Sequence, residues 1–187
     1  ALLRRSTTTI GAMMVRRGDA DAMLCGLVGR FDVHLGHVRD VIGLKPGATT
    51  LATLNALMLP QHTIFVTDTF VNEEPTAEEL AEIAAMAAVE VRRFGLPPKV
   101  AFLSHSMFGS SARPSARRMR EATERFKSLR PGTSCDGEMH GDAALSPEVR
   151  RSFLPTTTLE GEANLLVLPN IDAANILFNV LKVTGGH

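Results

Sequence analysis

The chain of 187 residues has no tryptophan and no tyrosine, only two cysteines, and no excess of either charge. Lys plus Arg and Asp plus Glu both total 20. No global field therefore draws in nucleic acid or an anionic membrane surface, and any anion must be met locally. Cys25 and Cys135 sit in unrelated contexts that match neither a disulfide framework nor a metal-site spacing. Both are expected to be reduced, in a cytoplasmic protein. No apolar stretch approaches the ~20 residues that span a bilayer, and no signal-peptide pattern opens the chain. The common phosphate and nucleophile motifs are missing as well: no G-x-G-x-x-G follows a strand, and neither G-x-x-x-x-G-K-[ST] nor a G-x-S-x-G elbow occurs.

What is present is an alternation of helix and strand. Apolar residues at helical spacing predict a helix over Ile10 to Arg17, stopped by Gly18, then a short buried strand over Ala22 to Cys25. A second helix is expected over Asp32 to Ile42. Two extended segments follow, Thr49 to Leu59 and Thr63 to Val66, joined by a turn at Pro60-Gln61-His62. Thr76 and Glu79 form a capping box for a helix running to Phe94, with Leu80, Ile83, Ala84, Ala87 and Val91 as its apolar stripe and Gly95 as its stop. Strands are expected at Lys99 to Leu103, Ser134 to Glu138 and Asn164 to Leu168, and helices at Ser115 to Leu129, Pro147 to Phe153 and Ile171 to Val183. Continuous apolar strands alternating with helices predict an α/β fold with a mainly parallel sheet. One domain over residues 1–187 is the default for this length. The abrupt start at Ala1 and stop at His187 fit a piece of a longer chain.

In such a sheet, ligands sit beyond the carboxyl ends of the strands. That singles out Gly26 to Asp32, Ser104 to Pro114, Asp136 to Asp142 and Pro169 to Asn175. The stretch SHSMFGSSARPSA (Ser104 to Ala116) places a Ser/Gly turn between a strand and a helix, a usual cradle for a phosphorylated ligand, although the same turn also serves as a plain connection. Arg30 can pair with a phosphate and Phe31 can stack on a flat ring; a surface arginine beside a core phenylalanine is the other reading. DGEMHGD gathers Asp136, Glu138, His140 and Asp142, which fits metal or acid/base work and equally a half-exposed edge strand. His34 and His37 have a ligand-compatible spacing but no evident third ligand, and no metal site is expected.

The segments GAMMVRRGDADAMLCG (Gly11 to Gly26), NEEPTAEELAEIA (Asn72 to Ala84), PKVAFLSHSMFGSS (Pro98 to Ser111), DGEMHGDAAL (Asp136 to Leu145) and ANLLVLPNIDAANI (Ala163 to Ile176) together resemble the phosphate acetyl/butyryl transferase family. More closely, Gly29-Arg30-Phe31-Asp32, Asn55 to Pro60, Met139-His140-Gly141-Asp142 and Pro169 to Asn175 resemble the phosphotransacetylase-like C-terminal domain of bacterial hybrid NADP-dependent malic enzymes. The resemblance implies an isocitrate dehydrogenase-like phosphotransacetylase fold, a dimeric interface and a cleft for acetyl-CoA. It also implies departures. Arg30 and Phe31 stand where the transferases usually carry a Thr-Thr pair, and Met139-His140 where they carry Leu-Gln. Their catalytic Ser-Arg motif is expected beyond His187, so no catalytic residue is assigned.

The role so implied is a regulatory, oligomerising module that senses acetyl-CoA or a related acyl-CoA and inhibits the linked malate-oxidising domain. NADP and a divalent metal (Mg or Mn) are expected in that other domain, and no cofactor in this one. Arg30, Phe31, Ser110, Ser111, Arg113, Asp142, Asn170 and Asn175 are the expected ligand contacts: arginines for phosphates, Asn170 and Asn175 for amides. The alternatives are an active phosphate acetyltransferase, moving acetyl between CoA and phosphate, and a purely structural assembly module.

Overall fold

A computed structural model of the protein describes residues 6–60 and 62–186. Ala1, His187 and Gln61 of the expected turn lie outside the described residues. The chain packs as two compact units, Ala1–Thr49 and Thr50–His187.

The first unit is a pair of helices, α1 (Thr7–Arg17) and α2 (Phe31–Val41). Ser6 caps α1 by accepting the Thr9 N–H at 3.2 Å, and Gly18, in the left-handed region at φ 77°, ends it. The strand expected over Ala22 to Cys25 is not formed: this stretch is irregular, and Leu24, Leu27 and Val28 are exposed. Apolar composition suited a buried strand, but a strand also requires a neighbour for its backbone N–H and C=O groups, and among the described residues none pairs with it. His34 anchors the segment instead. Its ring lies 2.8 Å from Val28 O through Nε2 and 2.7 Å from Thr8 Oγ1 through Nδ1. Nε2 therefore donates, since the Val28 carbonyl oxygen can only accept. Gly29 sits directly against this ring, where an added Cβ would meet Nε2 at 2.9 Å.

The second unit is a five-stranded sheet in the order β1-β2-β5-β3-β4, with β1 (Asn55–Met58), β2 (Thr63–Thr67), β3 (Lys99–Leu103), β4 (Ser134–Met139) and β5 (Leu165–Val167). The β1/β2 pair is an antiparallel hairpin, closed by the Leu59 N–H on His62 O at 3.0 Å. The pairs β2/β5, β5/β3 and β3/β4 are parallel. The expected α/β class with a mainly parallel sheet is therefore the observed one.

Both faces of the sheet are covered, which is why the strands read as unbroken apolar runs. On one face Phe65, Val100, Phe102, Leu165 and Val167 pack against α3 (Ala77–Arg93) and α4 (Pro114–Leu129). On the other, Ile64, Val66, Ala101, Leu103 and Leu166 pack against α5 (Gly141–Leu145) and α7 (Ile171–Thr184). The capping box of α3 is present in both directions, and its predicted stripe is buried within the core. The short helix α6 (Pro147–Phe153) contributes Arg150, fully buried, whose guanidinium donates to Ala143 O, Ala144 O, Leu159 O and Gly161 O. It ties α5 to the loop that leads into β5.

Candidate functional site

Within the second unit the chain leaves β2 and β3 toward the α3/α4 face, and β5 and β4 toward the α5/α7 face. Adjacent strands in the order β2-β5-β3-β4 thus send their carboxyl-end loops to opposite sides. This is the arrangement that opens a crevice in open α/β sheets. The rim so formed carries Asp68 to Glu74, Pro169 to Asn175, Ser104 to Arg113 and His140 to Asp142. Helix α4 starts at this rim and serves two groups of residues on it.

One group lies beyond β3 and β4. Glu138 is fully buried and accepts Ser106 Oγ at 2.7 Å, the Gly109 N–H at 2.9 Å, and Arg120 through Nη2 and Nε, each at 2.9 Å. Burial pushes its carboxyl upward, but the hydrogen bonds from Arg120, Ser106 and Gly109 outweigh that effect and hold it at about 2. His140 reaches His105 O at 3.1 Å, and His105 Nε2 lies 3.2 Å from Ser111 Oγ. The second group lies beyond β2 and β5. Glu74 accepts Asn170 Nδ2 at 2.8 Å and Arg118 Nη2 at 2.8 Å, and Arg118 also donates to Pro169 O at 3.0 Å. These two bonds, Asn170 first and Arg118 second, lower the Glu74 pKa. Asn175 Nδ2 donates to Thr69 O at 3.2 Å. Buried Asp68 accepts from Thr53 and Asn72.

The expected contacts fall into this frame as follows. Ser110 and Ser111 sit in the loop around Glu138, with Ser110 Oγ accepting the Met107 N–H at 2.9 Å and Ser106 Oγ accepting the Ser111 N–H at 3.0 Å. Arg113 is the N-cap residue of α4; it is exposed, and its guanidinium makes no hydrogen bond or ion pair among the described residues. Asp142 lies in the first turn of α5 and accepts the Ala143 N–H at 2.7 Å. Asn170 caps α7 by accepting the Ala173 N–H at 3.0 Å. Arg30 and Phe31 belong to the first unit. There Arg30 grips Asp32 in an exposed ion pair at 2.7 Å, and Phe31 opens α2 half-exposed.

Two expectations change. The backbone amides of Ser106 to Ser111 do not form an open cradle, because internal acceptors take all of them. Nor is DGEMHGD a half-exposed edge: β4 is an edge strand, yet the Asp136 and Glu138 carboxylates are buried. The reason lies on α4, where Arg120 pairs with Glu138, and Lys127, two helical turns further on, pairs with Asp136 at 3.3 Å. Spacing carried a signal here, since Arg120 and Lys127 share the stripe of buried Ala116 and Thr123. Among the described residues no group of three or more His, Cys, Asp or Glu is arranged to hold a metal ion.

A mainly parallel α/β sheet with polar groups gathered on its carboxyl rim defines the class, an open-sheet α/β domain. The chain matches, over residues 2–187, the family model described as Phosphate acetyl/butaryl transferase, and it belongs to that family. It is 53% identical over 180 residues to an NADP-dependent malic enzyme of Salmonella typhimurium, covering 96% of this chain and 24% of that protein. It is 31% identical over 176 residues to a phosphate acetyltransferase of Haemophilus influenzae, covering 94% of this chain and 25% of that protein. A crystal structure of a phosphotransacetylase from Streptococcus pyogenes superposes with a TM-score of 0.91 at 33% identity, over 98% of this chain and 56% of that one. The chain thus spans about a quarter of the length of these two curated relatives.

Proposed function

We propose that the chain is the acyl-CoA-sensing, oligomerising module of a cytoplasmic NADP-dependent malic enzyme, and that it does not itself transfer acyl groups. The observation that carries this reading is the gap in similarity: 53% identity to a malic enzyme against 31% to a phosphate acetyltransferase over nearly the same span. In the parent protein a separate domain, holding NADP and a divalent metal, oxidises and decarboxylates malate to pyruvate. A sensor needs differential affinity between two conformations, not a nucleophile or a general base. The rim suits that task. Arg113, which has no ion pair among the described residues, supplies a cation for a phosphate, and Ser110, Ser111 and Asp142 supply polar contacts around it. Asn170 and Asn175 tie the loops after β2 and β5 together, so a ligand that contacts either one acts on both loops. Arg30 and Phe31, in the first unit, are candidates by themselves, for a phosphate and an adenine face.

The test is made on the full-length protein. Acetyl-CoA should inhibit malate-dependent NADP reduction, and Arg30→Ala should raise the concentration needed. No binding at millimolar acetyl-CoA sinks the proposal, while inhibition that Arg30→Ala leaves untouched removes Arg30 from the candidates. A second reading, an active phosphate acetyltransferase, draws on the 33% identity and TM-score of 0.91 to the Streptococcus pyogenes phosphotransacetylase. Robust acetyl phosphate formation from acetyl-CoA and inorganic phosphate by the full-length protein would favour it.

A further inference from the structure

The loop after β3 is wrapped around an anion that the chain supplies itself. The Phe108 N–H donates to Glu138 O at 2.8 Å and the Gly109 N–H to Glu138 Oε1 at 2.9 Å. The Ser106 hydroxyl donates to the same Oε1 at 2.7 Å, and its oxygen accepts the Ser111 N–H at 3.0 Å. The remaining amides close on neighbours: Ser106 on Ser104 Oγ, Met107 on Ser110 Oγ, Ser110 on Met107 O. Arg120 completes the enclosure, its fork on both carboxylate oxygens and its Nη2 on Ser111 O at 3.2 Å. Phe108, the one described non-glycine residue with positive φ, at 45°, stands between two amides anchored on Glu138.

A Ser/Gly turn between a strand and a helix ordinarily aims such amides at an external anion. Here the central position holds the side chain of Glu138, fully buried on β4. We propose that Glu138 is an internal anion that builds the Ser104–Ser111 loop without ligand, and is thereby a positioning residue of the acyl-CoA site. This inference rests on the acyl-CoA reading of the rim. Two consequences follow from the geometry. The loop is ordered before the ligand arrives, which lowers the entropy lost on binding. Recognition then falls to the groups that the built loop turns outward, Ser111 Oγ, His105 and Arg113, because no amide of residues 106–111 remains to hold a phosphate. Inorganic phosphate alone is therefore a poor ligand for this loop, and a ligand must reach several side chains at once.

The experiment compares the full-length protein with its Glu138→Gln and Arg113→Ala variants. Hydrogen exchange is read on peptides covering residues 104–111, and acetyl-CoA binding is measured by calorimetry. In the unmodified protein these amides should exchange slowly with or without acetyl-CoA. Glu138→Gln should speed their exchange and raise the Kd for acetyl-CoA, each about tenfold, whereas Arg113→Ala should raise the Kd and leave exchange alone. Unchanged loop exchange in Glu138→Gln overturns the proposal, as does an unmodified loop that becomes protected only when acetyl-CoA is added. A loop that loosens in Glu138→Gln when even the unmodified protein binds no acetyl-CoA supports the internal anion and overturns the acyl-CoA reading. If Glu138→Gln does not fold, Ser106→Ala removes one contact to the carboxylate and keeps the Arg120 pair, and should give the same result at about threefold.

Discussion

Arg150→Met sets two large effects against each other. Arg150 heads the fully buried side chains by volume, and no carboxylate is hydrogen-bonded to it among the described residues. Burial lowers its pKa, which measures how poorly the charge is accommodated. Methionine fills much of the same volume without charge, and removing a desolvated ion returns several kcal/mol. Against this stand the carbonyls. Ala144 O keeps the Ala163 N–H at 2.9 Å, but Ala143 O, Leu159 O and Gly161 O lose the guanidinium. A buried acceptor left unpaired costs about 1–3 kcal/mol, so Ala143 O and Leu159 O sum to roughly 2–6 kcal/mol, and the half-buried Gly161 O adds less. The carbonyls should win by about 2–4 kcal/mol. With a urea dependence of about 2 kcal/mol per molar, the midpoint should fall by about 1–2 M. With no Trp or Tyr in the chain, the assay is hydrogen exchange of peptides from residues 141–163 of the full-length protein across a urea series. A variant as stable as the parent, or more so, would refute the reasoning and show that desolvation dominates. Arg150→Lys keeps the charge but not the planar fork that spans both segments, and should also be destabilised.

Three further outcomes are expected. Gly137→Ala should destabilise the second unit by about 3 kcal/mol or more, because an added Cβ would lie 2.7 Å from Phe102 Cβ and 2.9 Å from Phe102 O; a urea midpoint close to that of the parent would contradict this. Asn170→Ala should cost about 1–2 kcal/mol through loss of the α7 cap and should speed exchange at residues 171–174; no change there would show that the cap contributes little. The Glu138 carboxyl is held at about 2, below its usual 4.5, so its contribution to stability is present above the usual value and is lost as pH falls from 4.5 toward 2. The stability of Glu138→Gln should accordingly fall less steeply than the parent's over that window, and parallel curves would rule the effect out.

Most of the fold was legible because its signals are local. The Thr76/Glu79 capping box, the stop at Gly95 and the apolar run of Lys99 to Leu103 depend on neighbours a few residues away, and all appear where expected. Ala22 to Cys25 misled because composition carries no information about a missing ladder partner. The rim was legible as position: Ser110, Ser111, Asp142, Asn170 and Asn175 do lie beyond the carboxyl ends of parallel strands. Their partners were not. Glu138 attracted attention as a metal or acid/base candidate, whereas its neighbours prove to be Ser106 and Gly109, about 30 residues earlier, and Arg120 on the intervening helix.

By itself the sequence determined the α/β alternation, the caps and stops of its helices and the strand ends at which polar residues collect, since hydrophobic period and turn chemistry act over short range. Tertiary structure alone decided the strand order β1-β2-β5-β3-β4, the burial of Asp136 and Glu138, and the pairing of Arg120 and Lys127 with them. A charge is tolerated in the interior only when a partner distant in sequence arrives with the right geometry. That meeting is a property of how helix α4 lies along β4, which no local pattern encodes.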